Sequence, residues 1–137
     1  MKGQRGKDLL AGEFGNDTLD GGRGQDSLFG GVGNDVLMGG EKDDLLVGGH
    51  GSDTLTGGKG NDIFVLGEDR DIDVITDFGR REDKIELIGG LTFADLAITQ
   101  GTGSNRKDVL ISLEENNQLI AILQKQNIAE ITVEDFI

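Results

Sequence analysis

The chain has 137 residues, among them 24 Gly and no Pro, Cys, Trp or Tyr, and 26 acidic against 13 basic residues give a net charge of −13. The lack of Cys excludes a disulfide-stapled fold, and the acidic charge argues against a nucleic-acid partner, which requires a basic surface. No apolar run reaches the roughly twenty residues of a membrane span, so none is expected.

Aspartate recurs at every ninth position through the first half of the chain. Seven nonapeptides run from Gly3 to Val65 without an insertion, and each has one large apolar residue two positions after its aspartate. The aspartates are Asp8, Asp17, Asp26, Asp35, Asp44, Asp53 and Asp62. The apolar residues are Leu10, Leu19, Leu28, Leu37, Leu46, Leu55 and Phe64. The shared pattern is Gly-Gly-x-Gly-x-Asp-x-Leu-x.

Seven copies in one register resemble the haemolysin-type calcium-binding repeats of RTX proteins. The resemblance implies an all-β fold, in which a right-handed parallel β-roll with two nonapeptides per turn spans residues 3–65. A short-stranded β capping segment then follows over residues 66–137. Residues eighteen apart would stack on parallel strands about 4.8 Å apart. The expected carboxylate pairs are Asp8–Asp26, Asp17–Asp35, Asp26–Asp44, Asp35–Asp53 and Asp44–Asp62.

The residue types of each repeat favour a hard cation. Gly at positions one, two and four is expected to take positive φ, so that carbonyl oxygens converge, and the aspartate at position six adds a carboxylate. The last three positions are expected to form a short strand with position eight turned inward. Oxygen-only ligands suit Ca²⁺, whereas zinc would need Cys or clustered His. The candidate metal-binding residues are Asp8, Asp17, Asp26, Asp35, Asp44, Asp53, Asp62, Asp71, Asp73, Gly22, Gly24, Gly31, Gly33, Gly40, Gly49, Gly51, Gly58 and Gly60.

A degenerate eighth unit follows in segment 67–73, where Asp53 has two candidate partners, Asp71 and Asp73. With the five regular pairs, this unit gives about five or six structural Ca²⁺ ions. Ordering the repeats costs more free energy, as lost conformational entropy, than the burial of their few Leu and Phe side chains provides. The stacked carboxylates also repel one another. The sequence therefore predicts a chain that is largely unfolded without Ca²⁺ and folded with it.

Three positions depart from the glycine pattern. Gln4 and Glu13 replace the second Gly of the first two units, and Lys42 replaces the third Gly of the fifth unit. A Lys with positive φ is strained, and its ammonium competes with a bound cation. The two pairs that contain Asp44 are therefore expected to be the least regular.

Beyond Val65 the glycine rhythm stops and ordinary strand patterns begin. Apolar and alternating runs predict strands at 74–78, 84–87, 108–113 and 119–123, with a loop at 101–105 and a hairpin turn at 114–118. The run 73–78, followed by 82–85, is similar to the segment that follows the repeats in many bacterial RTX exoproteins. Because the end of a β-roll exposes strand edges, this half of the chain is expected to cover it.

The C-terminal residues 134–137 have two interpretations. They resemble the acidic-then-apolar ending that serves as an uncleaved signal in type I secretion. Alternatively, they form a closing turn that begins at Thr132 and buries Phe136 in the cap, and both interpretations can hold. A secreted, extracellular protein fits the folding argument, because cytosolic Ca²⁺ is too scarce to fill weak sites.

The leading functional hypothesis is a calcium-driven folding and secretion module that works with the type I secretion machinery. The alternative is a carbohydrate-binding module for a polyanion such as alginate. All basic residues of the repeats lie in odd-numbered units, which stack on one edge and would form a basic stripe. They are Arg5, Lys7, Arg23, Lys42 and Lys59.

An enzyme is the least favoured class. The only His, His50, occupies a variable loop position, and no catalytic motif accompanies it. A catalytic domain, if the protein has one, is expected to lie outside this chain. The first repeat begins at Gly3, which predicts an open strand edge at the N-terminal end of the roll. Either the sequence is part of a longer chain that covers this edge, or the edge pairs end to end with another molecule.

Overall fold

The computed structural model describes residues 1–67, 71–79 and 82–137. The strands are β1 (Leu9–Phe14), β2 (Thr18–Arg23), β3 (Ser27–Val32), β4 (Val36–Glu41), β5 (Leu45–His50), β6 (Thr54–Lys59), β7 (Ile63–Leu66), β8 (Asp73–Ile75), β9 (Lys84–Leu87), β10 (Leu96–Gln100), β11 (Val109–Leu113) and β12 (Leu119–Leu123). Short 3₁₀ helices lie at Phe93–Asp95, Gly103–Asn105, Ile128–Glu130 and Val133–Asp135. Within these described ranges there is no helix of the length and apolarity needed to cross a bilayer.

The first seven strands alternate between two sheets, so that two nonapeptides make one turn. The odd-numbered strands β1, β3, β5, β7 and β9 form one sheet, and β2, β4, β6, β8, β12, β11 and β10 form the other in that order. Strands of the roll are parallel and pair residues eighteen apart, such as Leu10 with Leu28 and Leu28 with Leu46. The predicted parallel β-roll is confirmed.

The strands of the roll are longer than the pattern predicts. Strands β1 to β6 have six residues each and continue through the first three positions of the next repeat. The position-eight side chains are buried, and those from Leu19 to Phe64 have no exposed surface. One apolar column per sheet therefore fills the interior, as expected from the sequence.

The second half of the chain extends both sheets of the roll. β8 pairs in parallel with β6 and with β12, β9 pairs in parallel with β7, and β10 to β12 are antiparallel. The predicted strands at 84–87 and 119–123 match β9 and β12, whereas β8 and β11 are shorter than predicted. The strand β10, with the sequence Leu-Ala-Ile-Thr-Gln, was not predicted.

The apolar interior continues from the roll into this second half. The ring of Phe78 lies 6.1 Å from that of Phe64, the last position-eight residue. At the C-terminus, Thr132 and Asp135 form a capping box around a 3₁₀ helix, and Phe136 is buried with its ring 5.1 Å from that of Phe93. The predicted closing turn that begins at Thr132 is confirmed.

Two of the departures from the glycine pattern have a strained backbone. Lys42 has a φ of 82° and Glu13 a φ of 75°, whereas Gln4 avoids positive φ. A side chain with a Cβ is disfavoured in this region by about 1–2 kcal/mol. The fifth repeat thus keeps the backbone of its neighbours at an energetic cost.

Substitution Lys42→Gly is expected to increase the free energy of unfolding by about 1 kcal/mol, because it removes this strain. The measurement is urea denaturation in saturating Ca²⁺. The matched control is Lys59→Gly, since Lys59 lies on the same edge without positive φ. The control should lose stability through the flexibility of Gly. Equal effects of the two substitutions would contradict the strain interpretation.

Candidate metal-binding loops

The repeat aspartates form two hydrogen-bonded columns along the roll. The main-chain N–H of each aspartate donates to Oδ1 of the aspartate eighteen residues later. The N···O distances are 2.8 Å for Asp8–Asp26, 2.7 Å for Asp17–Asp35, 2.7 Å for Asp26–Asp44, 2.7 Å for Asp35–Asp53 and 2.9 Å for Asp44–Asp62. All five predicted pairs are therefore stacked neighbours.

Both columns continue beyond the regular repeats. The N–H of Asp53 donates to Asp73 at 3.0 Å, so Asp73 continues this column, and Asp71 is exposed outside it. The N–H of Asp62 donates to Asp83 at 2.9 Å. Glu68, Asp69 and Arg70 of the degenerate unit lie outside the described residues.

Sequence reasoning missed Asp83 because its spacing from Asp62 is 21 residues instead of 18. A signal was present, since Asp83-Lys84-Ile85 and Asp73-Val74-Ile75 share the Asp-x-Ile order and both place the Ile in the core. Asp77 was also missed. Its carboxylate accepts hydrogen bonds from the N–H groups of Gly57 and Gly58, at 2.9 and 2.8 Å, and so caps the last loop on this side.

The glycines of each loop have two different roles. All nine candidate glycines, at positions two and four, have positive φ, from 100° at Gly22 to 154° at Gly24. The expectation for position one was wrong, because those glycines do not have positive φ. A Cβ on Gly21, for example, would lie 2.6 Å from the carbonyl oxygen of Gly39 and 2.7 Å from Oδ2 of Asp26. Position one therefore requires Gly for space, because a carboxylate and a carbonyl oxygen converge there.

The second carboxylate oxygen of the central aspartates is buried. Oδ2 of Asp26, Asp35 and Asp44 has no hydrogen-bond partner among the described residues. A buried acceptor without a donor is unfavourable, and a cation next to it reverses that cost. The loops thus place carboxylate and glycine carbonyl oxygen atoms close together, and these are the ligand types that a hard cation prefers.

The electrostatics of the columns are unfavourable in the metal-free chain. Burial raises the pKa of Asp44 to about 6, and repulsion from Asp26 and Asp43 contributes to the shift. Burial likewise raises the pKa of Asp62 to about 7, with repulsion from Asp83 and Asp44 adding to it. Burial also raises the pKa of Asp83. These carboxylates therefore need protons or cations to remain buried.

The basic edge of the roll is interrupted. Position three of the odd units stacks as Arg5, Arg23, Glu41 and Lys59, so that an acidic residue stands within the row. Arg23 Nε lies 3.4 Å from a carboxylate oxygen of Glu41. Because Glu41 separates Lys59 from the two arginines and partly offsets their charge, this row is not continuously basic, and the carbohydrate-binding alternative is not favoured.

The chain is similar to several proteins of known structure. The AlgE6R3 subunit of the Azotobacter vinelandii mannuronan C5-epimerase is 27% identical, over 97% of this chain and 78% of that chain, with a TM-score of 0.37. The AlgE6R2 subunit of the same epimerase is 22% identical, over 100% and 91%, with a TM-score of 0.44. The extracellular lipase LipA from Serratia marcescens is 20% identical, over 96% of this chain and 19% of the lipase, with a TM-score of 0.44. No curated protein matches the sequence.

The repeats themselves match a family model. The model of the RTX calcium-binding nonapeptide repeat, in four copies, matches residues 2–37 and 38–73, which together are more than half of the chain. This agrees with the stacked aspartates, the loop glycines and the parallel roll. The chain belongs to the RTX calcium-binding nonapeptide repeat family, and it binds calcium through these repeats.

Proposed function

We propose that Ca²⁺ ions bind between stacked loops of the roll and that this binding drives the folding of a secreted protein. The observation that carries the proposal is the buried Oδ2 of the central aspartates, which lies beside glycine carbonyl groups and lacks a donor. Each bound ion would draw on the aspartates of one stacked pair and on carbonyl oxygens of positive-φ glycines. The repeats bind calcium and are not themselves catalytic; a catalytic domain, if the protein has one, would lie outside this chain.

The columns suggest the number of ions. One column contains four stacked pairs, from Asp8 to Asp83, and the other contains three, from Asp17 to Asp73. We therefore propose seven sites, or five if Lys42 disables the two regular pairs that contain Asp44. The pair at Asp83 raises the number above the five or six expected from the sequence.

Calcium titration should give a stoichiometry of five to seven by calorimetry, together with a gain of β-structure in far-UV circular dichroism. Excess EGTA should reverse the gain, because unneutralised buried carboxylates oppose folding. Asp35→Asn should remove at least one ion, since its carboxylate belongs to two stacked pairs. Asp71→Asn is the matched control and should leave the stoichiometry unchanged, because Asp71 lies outside the columns. A circular dichroism spectrum that changes with neither Ca²⁺ nor EGTA would refute the coupling of folding to calcium binding.

Acidification is expected to replace part of the calcium effect. The pKa values of Asp44 and Asp62 are raised in the fold, to about 6 and about 7, above the ordinary value of 3.8. At a pH between the ordinary pKa and the raised pKa, the folded chain holds more protons than the unfolded chain. Without Ca²⁺, the free energy of unfolding therefore falls as the pH rises from about 4 to about 7. In EGTA, the β-signal should therefore increase when the pH is lowered from 7.5 to 5. With saturating Ca²⁺ it should stay constant, and a loss of metal-free structure at pH 5 would contradict the linkage.

Export by the type I machinery is supported by family membership and by the acidic-then-apolar ending. In the folded chain, Phe136 packs in the core and Ile137 N–H bonds to the carbonyl of Ile85 at 2.9 Å. A secretion apparatus would therefore bind these C-terminal residues before the chain folds, while it is still in a cytosol that is poor in Ca²⁺.

Co-expression with a type I exporter tests this export. Deletion of residues 134–137 should retain the protein in the cells. Phe93→Ala is the matched control, because it removes the ring that contacts Phe136 but leaves the ending intact. Export of the truncated chain would exclude the terminal signal, and retention of both variants would attribute the effect to lost packing.

A further inference from the structure

The outer faces of the two sheets of the roll differ in composition. In the odd-numbered strands β1, β3, β5 and β7 the first three positions are apolar almost throughout, at Leu9–Ala11, Ser27–Phe29, Leu45–Val47 and Ile63–Val65. The even-numbered strands β2 and β6 instead alternate, with polar residues on either side of the buried Leu. Strands that are apolar at successive positions are typical of sheets that are covered on both faces.

The register arranges the outward side chains of the odd-numbered strands in two rows. The first row is Leu9, Ser27, Leu45, Ile63 and Lys84; the second is Ala11, Phe29, Val47, Val65 and Glu86. We call this surface the odd face. Within residues 9–65, all of which the structure describes, seven of its eight outward residues are apolar.

The odd face is accessible to a partner. Leu9 is 75% exposed and Phe29 is 37% exposed, and the other large residues of the rows are half-buried by their neighbours in the sheet. On the even-numbered strands β2, β4 and β6, the equivalent six positions hold two apolar residues, Val36 and Met38. A contiguous apolar patch on one side of an acidic protein marks an interaction surface.

The two rows of the odd face are complementary to each other. A two-fold axis that lies between two facing sheets, perpendicular to the strands, places the first row of one copy on the second row of the other. Small side chains then meet large ones, as Ser27 meets Phe29 and Ala11 meets Leu9. At the end of the rows, the ammonium of Lys84 in one copy lies opposite the carboxylate of Glu86 in the other copy. The two-fold axis produces this contact twice.

Charge and shape thus select the same partner and orientation. Lys84 Nζ donates to the carbonyl oxygen of Glu134 at 2.6 Å, which holds the cation at this end of the face. The pairing of Lys84 with Glu86, and of Ser27 and Ala11 with larger side chains, makes the odd face complementary to a second copy of itself.

We infer that the odd face is the contact surface of a face-to-face homodimer, in which the facing strands run antiparallel. Five strands about 4.8 Å apart and two rows of side chains give a patch of about 300 Å² per copy. A stable interface buries about 800 Å² on each partner. The dimer is therefore weak and reversible, and it forms only when Ca²⁺ has folded the sheets.

Sedimentation in saturating Ca²⁺, from about 10 µM to about 1 mM protein, tests the dimer. The combined substitution Leu45→Thr and Val47→Thr should weaken dimerisation about tenfold or more, because it removes apolar contacts from the centre of the face. Val36→Thr with Met38→Thr is the matched control on the opposite sheet and should leave dimerisation unchanged. Thr occupies equivalent positions in β6, so both variants should fold. A monomeric wild type at 1 mM, or equal effects of the two variants, would overturn the inference.

Charge exchange tests the orientation. Lys84→Glu should weaken the dimer, because it places two carboxylates opposite each other, and adding Glu86→Lys should restore it. The double variant does not recover the bond of Lys84 to Glu134, so the rescue reports the interface and not the fold. End-to-end pairing through the N-terminal edge lies at the other end of the roll and would not respond. The two-fold arrangement would be refuted if neither variant changed the dimer affinity. It would also be refuted if Lys84→Glu weakened the dimer and Glu86→Lys did not restore it.

Discussion

The hydrogen bond from the main chain of one aspartate to the carboxylate of the next is the interaction on which the roll depends. It ties each turn to its neighbour and turns one carboxylate oxygen toward the main chain. The other oxygen then lies buried next to glycine carbonyl groups, and in Asp26, Asp35 and Asp44 it has no donor among the described residues. The loop glycines, the need for a cation and the acidic composition all follow from this arrangement.

The end of the roll uses the same interaction with different spacing. Asp73 and Asp83 continue the two columns, although insertions separate them from the regular repeats. Asp77 binds the free N–H groups of the last loop with its side chain, where a further turn would have used its backbone. β8 and β9 then carry the two sheets into the second half, so that the buried apolar columns continue into Ile75 and Ile85, and Phe78 packs against Phe64.

The interior of the roll is narrow because each repeat contributes one large apolar side chain. Such a core gives little stabilisation per residue, and the buried carboxylates oppose it. Calcium neutralises the buried carboxylates, whereas the small stabilisation from the apolar core stays the same. We therefore expect Ca²⁺ binding to stabilise the fold, and the second half of the chain adds apolar packing that the repeats cannot supply.

The sequence by itself determined the nonapeptide register, and the family resemblance of those repeats implied the parallel roll with two repeats per turn. The five regular aspartate pairs follow from the two together, because a fixed repeat places equivalent residues at equivalent points. The sequence also indicated the strain at Lys42. The tertiary structure decided what lies outside that period: the choice of Asp73 over Asp71, the roles of Asp77 and Asp83, and strand β10. It also corrected the reason for Gly at position one, which is the space taken by a carboxylate and a carbonyl oxygen from other parts of the chain. Contacts of this kind depend on how turns stack and where insertions are placed, and local sequence does not encode them.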